Sequence, residues 1–174
     1  MWLDESRWEL VRDSVPVPCV DLIPFRVRDD RTEVGLIERE SPFGLRWCQL
    51  GGRLRLGETL RDGLLRHVAH TLTGLEFELA VDPQPDYVMQ WFRDEVPADR
   101  DGVEYGYDPR VHAVALCFAV AAGGDPVAVE GGEALRFAWF DVATIRARDD
   151  ELWPGTAAMV TAVSGLINRP ESSL

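Results

Sequence analysis

Residues 47–72, WCQLGGRLRLGETLRDGLLRHVAHTL, constrain the fold more than any other stretch, because a strand, a glycine turn and a helix follow one another without a break. The apolar run LRWCQL ends on Gly51 and Gly52, which let the backbone turn sharply and bring an amide or a carbonyl up to a ligand. Gly57 and Glu58 then open a helix whose first turn offers unpaired N–H groups to anions. Along it Leu60, Leu64, Val68 and Leu72 recur every four residues and form a core stripe. Arg66, His67, His70 and Thr71 fall on the other side, three or four residues apart, where they can converge on one ligand. By spacing alone, a turn of this kind also serves as an ordinary connection.

The rest of the chain supplies mostly strands. LDESRWELVRDSV predicts a helix within residues 1–14, with Asp4 as its N-cap. VPVPCVDLIPFRV is β-rich but interrupted by prolines, which predicts a strand near a sheet edge. EVGLIERE and LRWCQL are short strands joined by the turn-forming SPFG. DYVMQWFRDE is another strand, and HAVALCFAVAA, apolar throughout and too short for a typical helix, is the clearest of all. Between these two lies EVPADRDGVEYGYDP, a polar loop of a length more often functional than idle. LRFAWFDVATI predicts the last strand, and PGTAAMVTAVSGLI a closing helix with Pro154 just ahead of its start. Strands outnumber helices and do not alternate strictly with them. The expected class is α/β, a mixed sheet between helices, in one domain over residues 1–174 with a mobile tail at 168–174.

Charge narrows the function classes. With 18 Lys and Arg against 30 Asp and Glu, the net charge of −12 excludes a general binder of nucleic acid or of anionic membranes, since both need a basic field. An anionic substrate must then be held by a few local arginines, a bound cation, or both. Cys19, Cys48 and Cys117 sit singly in apolar runs, which favours buried thiols in a reducing compartment over disulfides. The longest apolar run, residues 113–122, is far short of a membrane span, and MWLDESRWEL lacks the basic start of a signal peptide. A cytoplasmic protein is expected.

Gly52, five residues, Glu58, seven residues and Arg66 resemble the first half of the Nudix box. That box marks a family of pyrophosphohydrolases acting on nucleoside diphosphates linked to another group. In the family the box continues with a glutamate after the arginine and a Glu-Glu pair three residues further on, and these acids hold magnesium. Here those places carry His67, His70 and Thr71. Gly74 arrives one residue late, and Leu50 replaces the usual proline before Gly51. The front half matches, and the metal half is degenerate.

PVPCVDLIPF, GLIERE, LGGRLRLGETL, QWFRDE and DPRVHAVALCF resemble the GDP-mannose mannosyl hydrolase branch, as does a helix running directly into the first strand. In that branch the box is already altered and displacement occurs at sugar carbon instead of phosphorus. The resemblance implies a Nudix-like α/β/α sandwich. Asp21 matches an aspartate on the first strand, Arg39 an arginine holding the diphosphate, and Arg53 and Arg66 the box arginines. His112 matches a histidine opening the central strand, and Glu133 falls where the branch places a glutamine metal ligand. Ala134 stands where the branch has the histidine taken as general base.

The resemblance thus implies His112 and Arg66 as catalytic, Asp21, Arg39 and Arg53 as substrate-binding, and the Gly52 carbonyl, His70 and Glu133 as ligands of a weakly bound Mg²⁺ or Mn²⁺. The implied activity is hydrolysis of a nucleotide sugar or related nucleoside-diphosphate derivative by a homodimer. The alternative is a catalytically silent Nudix module that binds a nucleotide or a protein. The residues themselves leave simpler roles open. His67 and His70 suit a solvated surface as well as an ion, and Asp21 and Arg39 suit a structural ion pair as well as a phosphate clamp. Trp47, Trp91 and Trp139 suit the core, although any of them has a flat face for a nucleobase.

Overall fold

The computed structural model describes residues 3–94 and 102–167. The first helix, α1 (Glu5–Ser14), starts as its sequence predicts, with the Asp4 side chain accepting from the Arg7 amide. It buries none of its residues and leads straight into the sheet.

Strand β1 (Val17–Arg28) is the centre of that sheet, not an edge. On one side it runs parallel to β8 (Ala113–Ala128), from Val17 opposite Ala113 to Phe25 opposite Ala121. Its other side is shared in turn by two antiparallel partners. β4 (Leu50–Arg53) lies opposite Cys19 to Leu22, and β2 (Arg31–Ser41) lies opposite Phe25 to Arg28. Prolines normally confine a strand to an edge because they lack the N–H. Here Pro18 and Pro24 fall just outside both antiparallel registers. The Pro18 carbonyl, accepting from the Leu54 amide, shows that this residue directs its polar groups to the β4 side. The missing donors therefore sit at a ladder's end and in the gap between two partner strands.

β3 (Gly44–Cys48) and β9 (Arg136–Asp141) both pair with β2. β6 (Tyr87–Phe92) and then β5 (Leu72–Phe77) pair antiparallel with β8, and the two-residue β7 (Gly106–Tyr107) runs parallel to β6. The result is the expected mixed sheet. α2 (Leu60–Thr71) packs on β4 and β1, while α3 (Thr156–Ile167) packs against β6 and a 3-10 segment at Val142–Glu151. The core joins Leu22 and Ile23 of β1, Leu36 and Ile37 of β2, Phe118 of β8 and Met159 of α3, all essentially inaccessible. Each such side chain contributes roughly 1.5–3 kcal/mol by leaving water.

Three boundaries differ from the sequence pattern. α2 ends at Thr71, and Leu72, though still on the four-residue stripe, is the first residue of β5. β8 runs on past the apolar stretch to Ala128 and supplies the partner that turns residues 72–77 into a strand. The last strand stops at Asp141, whose side chain accepts from the Ala143 amide and starts the 3-10 segment. The tail at 168–174 and residues 95–101 of the polar loop lie outside the described residues. Among the described residues, no helix is long and apolar enough to cross a membrane.

Candidate functional site

The glycine turn meets β1 where Gly51 pairs with Asp21 and Gly52 with Val20. Beside this crossing lies a cavity of about 110 Å³, whose walls include Asp21, Arg39, Gln49, Asp108, Trp91 and Trp153. Asp21 is 4 % exposed and accepts a hydrogen bond from Gln49 Nε2 at 3.0 Å. Burial pushes its carboxyl up to about 7, against the opposing pull of the Gln49 bond and the Arg39 charge. A carboxyl poised there holds or releases a proton at neutral pH.

Arg39 projects from β2 with its guanidinium ion-paired to Glu133 and lying 5.3 Å from the centre of the Trp153 ring. Its Nε is buried and has no hydrogen-bond partner among the described residues. Burial is the largest influence lowering its pKa, and nearby Arg110 acts in the same direction. Arginine nevertheless stays charged. Arg110 forks onto the buried Asp108, Nε to Oδ1 at 3.0 Å and Nη2 to Oδ2 at 2.9 Å, and lies 4.7 Å from the same Trp153 ring. Trp153 is fixed by donating to the Tyr107 carbonyl at 3.0 Å and by the edge of Phe43. Two guanidiniums thus share one indole. Cys19 and Cys48 also line the cavity, and burial pushes the Cys48 thiol up to about 12 and Cys19 in the same direction. Both are protonated at neutral pH and are poor nucleophiles.

The box helix is arranged differently from the expectation that its four polar residues converge. Arg66 forks onto Glu58, Nε to Oε1 at 2.5 Å and Nη2 to Oε2 at 2.7 Å, and also donates to the Arg53 carbonyl. It ties the loop to the helix and does not line the cavity. His67 packs against Gly52, where a β-carbon would come within 2.8 Å of its Cε1, and its Nε2 lies 3.3 Å from the Arg53 carbonyl. Burial lowers its pKa, so it is neutral at pH 7. His70 is exposed, whereas Thr71 is buried and its carbonyl accepts from the Val129 amide. Arg53 stacks over Trp8 of α1 at 4.0 Å.

His112 also lies outside the cavity lining. Its ring stacks on Phe92 at 4.5 Å and 24°, with Nε2 buried and unpartnered among the described residues. Its carbonyl accepts from the Val17 amide and begins the β1–β8 ladder.

The resemblance to the Nudix box raises the question of magnesium. That ion needs several oxygen ligands in near-octahedral geometry. Glu58 has both oxygens on Arg66, Glu133 is engaged with Arg39, and positions 67, 70 and 71 carry no acid. Among the described residues, no group of three or more His, Cys, Asp or Glu is placed to hold a metal. The described residues do not fit a magnesium centre.

Of the site residues expected from sequence, the structure brings Asp21, Arg39 and Gly52 to the cavity, with Glu133 attached through Arg39. Gln49, Asp108 and Trp153 are additional, with Arg110 attached through Asp108. Gln49 left a trace as the one polar residue in QL after an apolar strand, while the others come from distant segments.

Solved structures share this fold. A protein of Jonesia denitrificans described as a possible asymmetric diadenosine tetraphosphate hydrolase aligns at TM-score 0.73 and 25 % identity, over 91 % of this chain and 99 % of that one. A NUDIX hydrolase of Nitrosomonas europaea aligns at 0.59 and 21 %, covering 92 % and 96 %. The NUDIX domain of Shewanella oneidensis NrtR, solved with ADP ribose, aligns at 0.56 and 18 %, covering 95 % and 100 %. The architecture is therefore the Nudix fold. Among curated proteins, none matches the chain. Residues 1–167 match a family model across nearly the whole length, and the chain belongs to that family, described as Domain of unknown function (DUF4916).

Proposed function

We propose that the protein is a Nudix-type hydrolase of a nucleoside-diphosphate derivative, working from the Asp21 cavity and not from the box helix. The observation that carries this reading is a buried carboxyl with a pKa of about 7 in the same cavity as the Arg39 guanidinium. A group titrating near the working pH is well suited to take a proton from water and return it to a leaving group. Asp21 would accept the proton of the attacking water as the bond to the diphosphate breaks. Arg39 would stabilise the negative charge that grows on the departing diphosphate, an interaction stronger in the transition state than in the ground state. At about 110 Å³ the cavity takes only the reacting end of such a ligand, since whole drug-sized ligands occupy roughly 300–1,000 Å³. Trp153 offers a flat apolar face at its wall. The nucleotide class is supported by structures of similar fold, one described as a possible diadenosine tetraphosphate hydrolase and one solved with ADP ribose.

A silent binding module is the second reading, favoured by the box helix, which carries no acid at positions 67, 70 and 71. A screen of diadenosine tetraphosphate, ADP-ribose and nucleotide sugars, with and without Mg²⁺ or Mn²⁺, separates the two. In the hydrolase, Asp21→Asn binds the substrate found but no longer turns it over. Binding by the wild type with no turnover of any compound selects the silent module, and no binding at millimolar concentration removes both.

A further inference from the structure

We propose that Arg39 and Arg110 form a metal-independent seat for a diphosphate, and that Glu133 is the resident counter-anion the ligand displaces. The inference rests on the reading of the cavity as a phosphate site but does not require hydrolysis.

Both guanidiniums lie within 5.3 Å of the Trp153 ring centre, and the Arg110 charge works against the charge on Arg39. Like charges so placed need an anion between or beside them. Each has one carboxylate already. The two partners differ in how firmly they are held. Asp108 has a side chain 11 % exposed and takes three bonds from Arg110, two from its guanidinium and one from its backbone amide. Glu133 is 39 % exposed, and its ion pair among the described residues is with Arg39 alone. It follows Gly131 and Gly132 and precedes the buried Ala134. Its backbone is pinned, because Gly132 lies against the His70 and Val129 carbonyls and Leu135 donates to the Glu38 carbonyl. Only the side chain has to swing. Arg39 Nε, buried and unpartnered among the described residues, is a donor that Glu133 leaves unanswered. A diphosphate presents more acceptor oxygens than one carboxylate and can answer it while reaching Arg110. Without acids at positions 67, 70 and 71 of the box helix, these two fixed positive charges do the neutralising that a divalent ion does elsewhere.

Glu133 as counter-anion and Glu133 as metal ligand predict opposite signs. The test is calorimetry of inorganic pyrophosphate binding to the whole protein in excess EDTA, then in Mg²⁺. The wild type should bind in EDTA with no gain from Mg²⁺. Glu133→Gln should tighten binding, by about two- to fivefold, as expected for release of a half-exposed ion pair. Arg110→Ala should weaken it about ten- to a hundredfold, the worth of one charge-assisted contact. Because that change leaves Asp108 buried and unpaired, Arg110→Lys is measured beside it with thermal melts. It keeps the charge and should recover part of the affinity. The seat is overturned by any of four results: no pyrophosphate binding, binding that needs Mg²⁺, weaker binding in Glu133→Gln, or wild-type affinity in a folded Arg110→Ala. Pyrophosphate binding in EDTA without turnover of any nucleotide supports the seat and removes the hydrolase. Magnesium-dependent turnover without pyrophosphate binding in EDTA does the reverse.

Discussion

The Asp21 carboxylate occupies the space that a side chain on Gly51 would fill: a β-carbon there would lie 2.3 Å from Asp21 Oδ1 and 2.2 Å from the Val20 carbonyl. The glycine before the box is thus needed by the strand opposite it as much as by the turn. Backbone cannot yield to such a contact, so Gly51→Ala should destabilise the fold by about 1–3 kcal/mol, in the range of overpacked cores. The midpoint of urea unfolding measures this. An unchanged midpoint would mean that β1 and β4 are not held in this register.

Asp21 also writes a signature into the pH dependence of stability. The folded carboxyl keeps its proton to about pH 7, while an ordinary aspartate releases it near 3.8, so between those values the native state binds more protons than the unfolded chain. The stability Asp21 contributes is complete below the unfolded pKa and is lost as pH rises through the folded one. Melting temperatures of the wild type should therefore fall more steeply from pH 4 to 8 than those of Asp21→Asn. Parallel curves would show an ordinary carboxylate at position 21.

The pair of Glu58 and Arg66 is predicted to matter for stability before catalysis. Its side chains are 17 % and 13 % exposed, and Arg66 holds the Glu58 carboxyl down to about 2. Glu58→Gln leaves a mostly buried guanidinium without its charge partner, at a cost of about 3 kcal/mol. The sign with pH is opposite to that of Asp21: this stability is present above the ordinary glutamate range and disappears as pH falls toward 2. Chemical denaturation at pH 7 and pH 3 tests both statements. A variant as stable as the wild type at pH 7 contradicts the structural role.

His112 should tolerate an apolar ring. It stacks on Phe92, and its buried Nε2 has no partner among the described residues. His112→Phe keeps the stacking and removes a polar atom that burial penalises, so stability should hold within about 0.5 kcal/mol or rise. Turnover of an identified substrate should also persist. Its loss in a stable, folded variant would return His112 to the catalytic group.

How much of this was legible in the sequence depended on whether the signal was local. The Asp4 cap, the SPFG turn, the apolar β8 and the Gly52–Glu58–Arg66 spacing are fixed by neighbours a few residues away, and the expected elements formed there. The mixed sheet followed from counting them. The placement of β1 was misjudged because prolines report what one strand cannot donate, not where its partners begin and end. The cavity was half visible. Asp21 and Arg39 stand on strands whose pattern drew attention, but Arg110 and Trp153 join them only through tertiary folding of segments more than 70 residues from Arg39. The convergence of Arg66, His67, His70 and Thr71 failed for a different reason. Helical spacing says which residues neighbour one another, while burial decides which of them face a ligand, and here Thr71 is in the core and His70 is in solvent.

That distinction governs any attempt to restore the acids of an intact Nudix box. Thr71 is 3 % exposed at the end of α2, under the turn where its carbonyl takes the Val129 amide. Thr71→Glu would bury an unpaired carboxylate, and uncompensated buried charges cost about 3–5 kcal/mol. The expected result is a protein that melts far lower and binds no magnesium. His70→Glu places the acid in solvent, where substitutions shift stability by only about 0.5 kcal/mol. It should fold normally, yet a single exposed carboxylate gives magnesium too few oxygens to displace its hydration shell. Melting curves and magnesium calorimetry on the two variants decide the matter. Tight magnesium binding by His70→Glu would mean that the helix faces a nearly complete metal site after all, and that one missing acid is what separates it from an intact Nudix box.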